Sequence, residues 1–326
     1  MKTSQSTPQL LVTSSNNILP YIEYCDRHGI QWRSIANKCG IQPQMLSTEH
    51  WLPTNEVLKF IHQIELVHGK KIGVNVGRLA TVSLLSPNIE RLIQTVETLE
   101  DAIHVLVTEI ISLSNHVTIW TEFKNGEWWL CHHSCYRHSN IGVEQAEWFR
   151  TSALIKYCQQ YLGEQWQPSK TKLISSQPRD SDLIKQYPNS SITFNHEYGA
   201  VNIPLSEDFR PLPIHQAQLD WFESIEKLVE TYALLPWFSI EWFGEMLGMS
   251  KRTLQRNLKS QSLAFKELKE AARFKKAKEL LVQTELSVQE ISWQVGYTDL
   301  SNFNRAFKKW ANMTAPTYRR NMTGSD

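Results

Sequence analysis

Apolar residues recur three and four positions apart along most of the chain, and the elements change where that rhythm changes. Ile18, Leu19, Ile22 and Tyr24 open an amphipathic helix that Gly29 is placed to stop. Trp32, Ile35, Ala36 and Cys39 open a second, closed by Gly40, and Val57, Leu58, Ile61, Ile64 and Leu66 mark a third. Ser86-Pro87-Asn88 precedes a longer helical run through Ile89, Leu92, Ile93, Val96 and Leu99. Residues 1–14 carry no such pattern and read as a loose tail.

From Val117 to His133 the pattern changes. Asn125-Gly126 is a strong hairpin signal, because both residues tolerate the positive φ of a type I′ turn. A two-residue loop there pairs Phe123 with Trp128 and Thr121 with Leu130. Val143 to Leu162 returns to helical spacing. Lys172–Ser175, Ser191–Asn195 and Ala200–Pro204 are further strand candidates, with turns at Pro188-Asn189 and Gly199. Residues 15–213 therefore read as one mixed, α+β domain.

Pro211-Leu212-Pro213 breaks the chain. A helix from about Gln216 to Ala233 follows, with Leu219, Phe222, Ile225, Leu228 and Val229 on one face, and Pro236 ends it. Residues 214–236 read as a connector whose apolar face serves either a second copy of the chain or the domain core. Residues 237–322 read as helices separated by short turns.

Two helical pairs in that last stretch resemble each other. Ser239 to Leu247 is a short helix with Ile240, Phe243, Met246 and Leu247 inward, ended by Gly248. Ser250 then caps a second helix whose Leu254 and Leu258 face the first. Arg252, Gln255, Arg256 and Lys259, at offsets of zero, three, four and seven, make one polar stripe. Ser287-Val288-Gln289-Glu290 is a capping box opening a later helix with Ile291, Trp293 and Val295 as its apolar residues. Gly296 ends it, and Thr298 or Asp299 caps the next. There Phe303 and Phe307 face inward while Ser301, Asn304, Arg305 and Lys308 repeat the outward stripe. Arginine forks to guanine and glutamine to adenine, so such stripes suit a major groove. A local brace between Arg305 and Asp299 is a second reading of Arg305.

Between the pairs, Phe265, Leu268, Ala272, Leu280 and Leu281 form an apolar face able to pack on both. Lys266, Lys269, Arg273, Lys275, Lys276 and Lys278 are read onto the opposite face. A continuous helix here sets the distance between the two stripes.

These segments resemble the arabinose-regulator (AraC/XylS) family. The resemblance is carried by Met249-Ser250-Lys251-Arg252-Thr253-Leu254-Gln255-Arg256-Asn257-Leu258 and by Ala277-Lys278-Glu279-Leu280-Leu281. It continues through Ser287 to Ser292, is strongest from Val295 to Trp310, and closes on Pro316-Thr317-Tyr318-Arg319-Arg320. It covers about the last ninety residues and implies base contacts from Arg252, Gln255 and Arg256 and from Leu300, Ser301, Asn304 and Arg305. The chain departs from the family pattern at Asn312, Pro316 and Ser292. Asn312 stands where relatives often have glycine, but asparagine tolerates the left-handed conformation. Residues 15–213 resemble the arabinose-binding-like sensor domain of one branch of that family. The signs are Ser86-Pro87-Asn88, the Asn125-Gly126 hairpin, and Ile192 to His196 followed by Val201 to Leu205. That resemblance implies a small-molecule effector but transfers no ligand residues.

Charge sharpens the division. The formal net charge of +1 hides fifteen Lys/Arg against nine Asp/Glu after Pro236, and nineteen against twenty-four before it. A basic end on an acidic body can draw in a polyanion. The five cysteines include no C-x-x-C pair, and no secretory leader or membrane-spanning apolar run is evident, so a cytoplasmic protein is expected. Cys131-His132-His133-Ser134-Cys135 offers suitable metal ligands, but strand alternation points His132 away from Cys131 and His133, so no metal is expected. Trp120, Trp128, Trp129, Trp148 and Trp166 read as core or as pocket walls. No nucleophile elbow, phosphate loop, metalloprotease helix or dinucleotide fingerprint occurs. A catalytic body tethered to DNA would need a reactive cysteine in a cationic setting or a four-cysteine metal site, and neither is present, so no enzyme and no cofactor are expected.

The expectation is an α+β sensor domain followed by an all-α domain with two helix-turn-helix units joined by a linker helix. Its partners would be double-stranded DNA, an unidentified small-molecule effector, a second copy of the chain and, by the resemblance alone, RNA polymerase. The resemblance also favours activation over repression.

Overall fold

Val12–Ser14, expected within a loose tail, forms strand β1. It pairs antiparallel with β2 (Trp51–Pro53), Val12 opposite Pro53 and Ser14 opposite Trp51. The Val12 amide donates to Asn115 Oδ1 and the Ser14 amide to the Leu113 carbonyl, each at 2.8 Å. Three residues are too few to show a period, and their partners lie forty and a hundred positions away. The computed structural model of the chain describes residues 9–46, 50–69, 71–137, 139–177, 184–214 and 219–324. Contacts divide it into two units, Leu11–Leu219 and Asp220–Asp326.

The N-terminal unit begins with helices α1 (Leu19–Arg27), α2 (Trp32–Lys38), α3 (Thr54–His68) and α4 (Ile72–Leu79). Leu66, read onto the apolar stripe of α3, is 66% exposed. Then come α5 (Val82–Leu85), α6 (Pro87–Ile93) and α7 (Leu99–Glu109). The run expected to continue from Ile89 to Leu99 is two helices. Thr98 starts the second by accepting from the Asp101 amide at 3.1 Å, a local cap that outcompetes helix continuation.

The hairpin forms as read. Strands β3 (Val117–Lys124) and β4 (Glu127–Ser134) pair Phe123 with Trp128 and Thr121 with Leu130, and Asn125 and Gly126 stand at φ +56° and +79°. After α8 (Val143–Leu162) come β5 (Lys170–Lys172), β6 (Ser191–Thr193) and β7 (Gly199–Ile203). The five strands lie in the order β3-β4-β7-β5-β6, with only β5 and β6 parallel. The strand read at Lys172–Ser175 sits earlier because the Ile174 and Ser175 amides turn to the Glu147 carboxylate on α8, at 2.6 and 3.0 Å.

Helix α8 runs against α4 almost backbone to backbone. A Cβ on Gly73 would stand 2.2 Å from the Gln145 carbonyl oxygen, and one on Gly77 2.5 Å from that of Phe149. Only glycine permits that approach. Trp148, Ile155 and Cys158 of α8 join Ile103 and Leu106 of α7 and Leu130 and Val201 of the sheet in one apolar core. Trp128, Trp129 and Trp148 are buried.

The C-terminal unit is all helical: α9 (Trp221–Tyr232), α10 (Ile240–Met246), α11 (Lys251–Ser260), α12 (Phe265–Gln283), α13 (Val288–Gln294), α14 (Leu300–Ala311) and α15 (Ala315–Thr323). The helix expected from Gln216 begins at Trp221, where Asp220 and Glu223 form a capping box; residues 215–218 lie outside the described residues. Helix α9 belongs to this unit rather than standing apart as a connector. It packs on α12, and Ile225, Leu228, Val229 and Tyr232 are buried. Of the face read as open to a second copy or to the core, Ile225, Leu228 and Val229 are buried within this unit, while Phe222 stays half-buried.

Candidate nucleic-acid interface

The first helical pair is built as its residues require. Ser239 accepts from the Trp242 amide at 3.2 Å to start α10, Gly248 turns the chain at φ +66°, and Ser250 accepts from the Thr253 amide at 3.1 Å to start α11. Leu254 and Leu258 are buried, while Arg252, Gln255, Arg256 and Lys259 are all exposed. Among the described residues, none of these four side chains has a hydrogen bond or ion pair within the protein. Lys251, which sequence reasoning left out, reaches back to Glu241 at 2.6 Å and ties α11 to α10.

The second pair repeats the construction. Ser287 and Glu290 close the capping box, the Glu290 amide donating to Ser287 Oγ at 3.2 Å and the Ser287 amide to the Glu290 carboxylate at 2.7 Å. The Ser287 hydroxyl, donating to the exposed Glu290 carboxylate at 2.7 Å, and then the Ser287 amide hold that carboxyl below its ordinary pKa. Gly296 turns the chain at φ +83°, and Asp299 starts α14 by accepting from the Asn302 amide at 2.8 Å. Phe303 and Phe307 are buried, and Ser301, Asn304, Arg305 and Lys308 are exposed. Leu300 is half-buried and packs on the inner cluster.

Three readings need correction. Trp293 is 55% exposed, and Ser292 takes the buried place beside Ile291 and Val295, because position 293 falls on the far side of a helix that buries 291, 292 and 295. Arg305 does not brace Asp299; its guanidinium donates to Asn302 Oδ1. Arg273 does not lie on a solvated face. It is buried, donating from Nε to the Ala233 carbonyl at 2.8 Å and from its terminal nitrogen to that of Leu235 at 3.1 Å. It also lies 4.8 Å from the Tyr297 ring centre. Burial pulls its pKa down, opposed by Tyr297. Lys269 donates to the Phe238 carbonyl, and burial, with Arg273 nearby, lowers its pKa to about 8.

Helix α12 serves both pairs. Phe265 contacts Phe238 and Phe243 at its start. Ala277 and Leu281 join Ile291, Val295, Phe303, Phe307 and Ala315 at its end. Arg319 of α15 donates to the Leu281 and Leu286 carbonyls at 3.0 and 2.6 Å, closing the α12 terminus. Asn312 ends α14 at φ +56°, in the left-handed conformation expected for it.

No metal-binding group of three or more His, Cys, Asp or Glu occurs among the described residues. Cys131 is buried beside Trp129 and Ala200, His132 is buried at 3.0 Å from Thr151 Oγ1, and His133 and Cys135 are exposed. His138 lies outside the described residues. Burial pushes the Cys25, Cys131 and Cys158 thiols up to about 12, the reverse of an activated nucleophile. No helix among the described residues is long and apolar enough to cross a membrane.

A helical unit with a basic, solvent-facing helix behind a capped turn is the form of a DNA-binding module. Residues 243–321 match the helix-turn-helix domain family HTH_18. The chain is 38% identical over 94 residues to an uncharacterized HTH-type transcriptional regulator of Mycobacterium tuberculosis, covering 29% of this chain and 27% of that one. It is 34% identical over 80 residues to the ornithine utilization regulator of Pseudomonas aeruginosa, covering 24% of each chain. The chain spans about a quarter of the length of these curated relatives. Among solved structures, it is similar to the C-terminal domain of the two-component response regulator yesN from Fusobacterium nucleatum. There the identity is 32%, the TM-score 0.29, and the coverage 30% of this chain and 96% of that one. The C-terminal unit belongs to the helix-turn-helix domains of the AraC type. The matched relatives are transcriptional regulators rather than enzymes.

Proposed function

We propose that the chain is an effector-responsive transcription activator that reads two adjacent major grooves with α11 and α14. The observation that carries this is the pair of exposed stripes: Arg252, Gln255, Arg256 and Lys259 on one helix, and Ser301, Asn304, Arg305 and Lys308 on the other, with Leu300 at the edge of the second. Each stripe lies on a helix held by a cap in front and a buried apolar pair behind. Arginine, glutamine and asparagine at these places present the donors and acceptors that base edges match, and the lysines suit phosphates.

Helix α12 supports the two-groove reading. Its nineteen residues run about 28 Å, comparable with the roughly 34 Å between successive major grooves on one side of B-DNA. Its ends are embedded in the two helical pairs, so it acts as a spacer. The N-terminal unit is the sensing part, and effector binding shifts the balance between DNA-competent and other arrangements. A homodimer would place four reading helices on paired half-sites, and activation would involve RNA polymerase.

Gel retardation of operator DNA across a salt series tests the core of this reading, with hydroxyl-radical footprinting for its geometry. The expected result is salt-sensitive binding with two protected patches one helical turn apart on one face. No retardation even at low salt rejects DNA binding; a single patch rejects two-groove reading.

A further inference from the structure

Two cavities in the N-terminal unit, of about 100 and 90 Å³, share the residues Asn17, Ile110, Leu113, Phe149 and Arg150 as walls. Because they share walls, together they have room for a small organic molecule. The walls are mostly apolar, and Arg150 lines both spaces. Among the described residues its guanidinium has no hydrogen bond or ion pair. Glu147, three positions back on α8, attracts it through space, but its carboxylate oxygens are bonded to the Ile174 and Ser175 amides. Tyr21, on the wall of the first cavity, has a fully buried hydroxyl with no hydrogen-bond partner. Tyr21 and Arg150 are close enough to influence each other electrostatically.

A fully buried hydroxyl without a partner is costly for a fold to keep, and the half-buried guanidinium beside it lacks a bonded acceptor. Both become satisfied if an acceptor with one negative charge enters. The other polar groups nearby do not offer a second charge. His116 shares a 3.0 Å contact with Ser134 Oγ, and burial, then Arg150, keep it neutral at about 3. Asn17 is committed to Thr13 Oγ1 and the Leu113 carbonyl. The remaining walls call for an apolar body.

We infer that the N-terminal unit binds an organic monocarboxylate, its carboxylate forked by Arg150 and reached by the Tyr21 hydroxyl, its apolar body lying along Phe149, Ile110 and Leu113. A planar guanidinium suits a carboxylate because two parallel N–H donors meet two oxygens. The inference rests on the proposal that this unit is the sensing part of the regulator.

The test is calorimetric titration of the full chain, without DNA, using octanoate and its neutral counterpart octanamide. Octanoate should bind about ten- to a hundredfold more tightly than octanamide, the worth of a charge-assisted bond. Arg150→Gln should abolish that preference. Tyr21→Phe, a milder change, should weaken octanoate about three- to tenfold. Equal binding of the two probes, no binding of either, or an undiminished preference in Arg150→Gln overturns the inference. Gel retardation with the same preparation separates the outcomes: a chain that ignores octanoate yet retards operator DNA has the wrong ligand class but remains a regulator.

Discussion

The Arg273 guanidinium meets the Ala233 carbonyl at 2.8 Å, fastening the middle of α12 to the end of α9. With the bond to Leu235 and the Tyr297 ring on its face, this one side chain joins three parts of the C-terminal unit. Arg273→Ala should destabilise that unit by about 2–4 kcal/mol, since it strands two carbonyls and removes a cation from a ring. Arg273→Lys should recover less than half, because a single ammonium cannot reproduce the fork. Urea unfolding read through the C-terminal tryptophans measures both; wild-type stability in either would refute the role.

Base reading predicts selective losses. Arg256→Ala and Arg305→Ala should each weaken operator binding by roughly 1–3 kcal/mol and leave random-sequence binding much less affected. Competition gel shifts compare the two DNAs. Equal losses on both would move these arginines to the phosphates.

Lys275 is a milder case. It pairs with Glu230 at 2.8 Å, and both side chains are more than half exposed. Lys275→Ala should change stability by no more than about 1 kcal/mol. It should lower the slope of log affinity against log salt by no more than about one. A loss of affinity as large as that from Arg256→Ala would contradict the assignment.

The turn glycines should differ. Gly248 at φ +66° has open space around a would-be Cβ, whereas one on Gly296, at φ +83°, would stand 2.6 Å from the Leu234 carbonyl oxygen and 2.7 Å from an Arg273 nitrogen. Gly248→Ala should cost about 1 kcal/mol from backbone strain alone, and Gly296→Ala clearly more. Equal Tm losses for the two variants would show that the clash is relieved freely.

Acid should weaken the N-terminal unit before carboxylates titrate. Burial, then Arg150, depress both His132 and His116, the latter to about 3, from an ordinary value near 6.5. Below pH 6.5 the unfolded chain takes up protons that the folded one refuses. Stability therefore falls as pH drops from about 6.5 toward 3, by at most about 1.4 kcal/mol per pH unit for each histidine. Urea midpoints at pH 7.5, 6 and 5 follow it. His132→Gln should flatten part of the slope; an unchanged slope would place the effect elsewhere.

Much of the C-terminal unit was legible because its determinants are local. Ser239, Ser250, Ser287 and Asp299 cap helices three residues ahead, and Leu254, Leu258, Phe303 and Phe307 bury at helical spacing. The Asn125-Gly126 hairpin and its register were legible for the same reason: the turn chemistry lies in two adjacent residues.

What failed was decided by partners far along the chain. Arg273 shares its stretch with five lysines, and only the carbonyls of Ala233 and Leu235, about forty positions earlier, make it interior. Val12–Ser14 became a strand through Trp51–Pro53 and Asn115, and the connector became part of the C-terminal unit by packing on α12. Arg150 gave no signal either, since α8 buries residues nearly all around and an arginine in such a helix looks like any surface charge. Caps, turns and apolar periods act over three or four residues and so are written in order along the chain. Whether a polar side chain meets water, a carbonyl or an enclosed cavity depends on segments that only folding brings together.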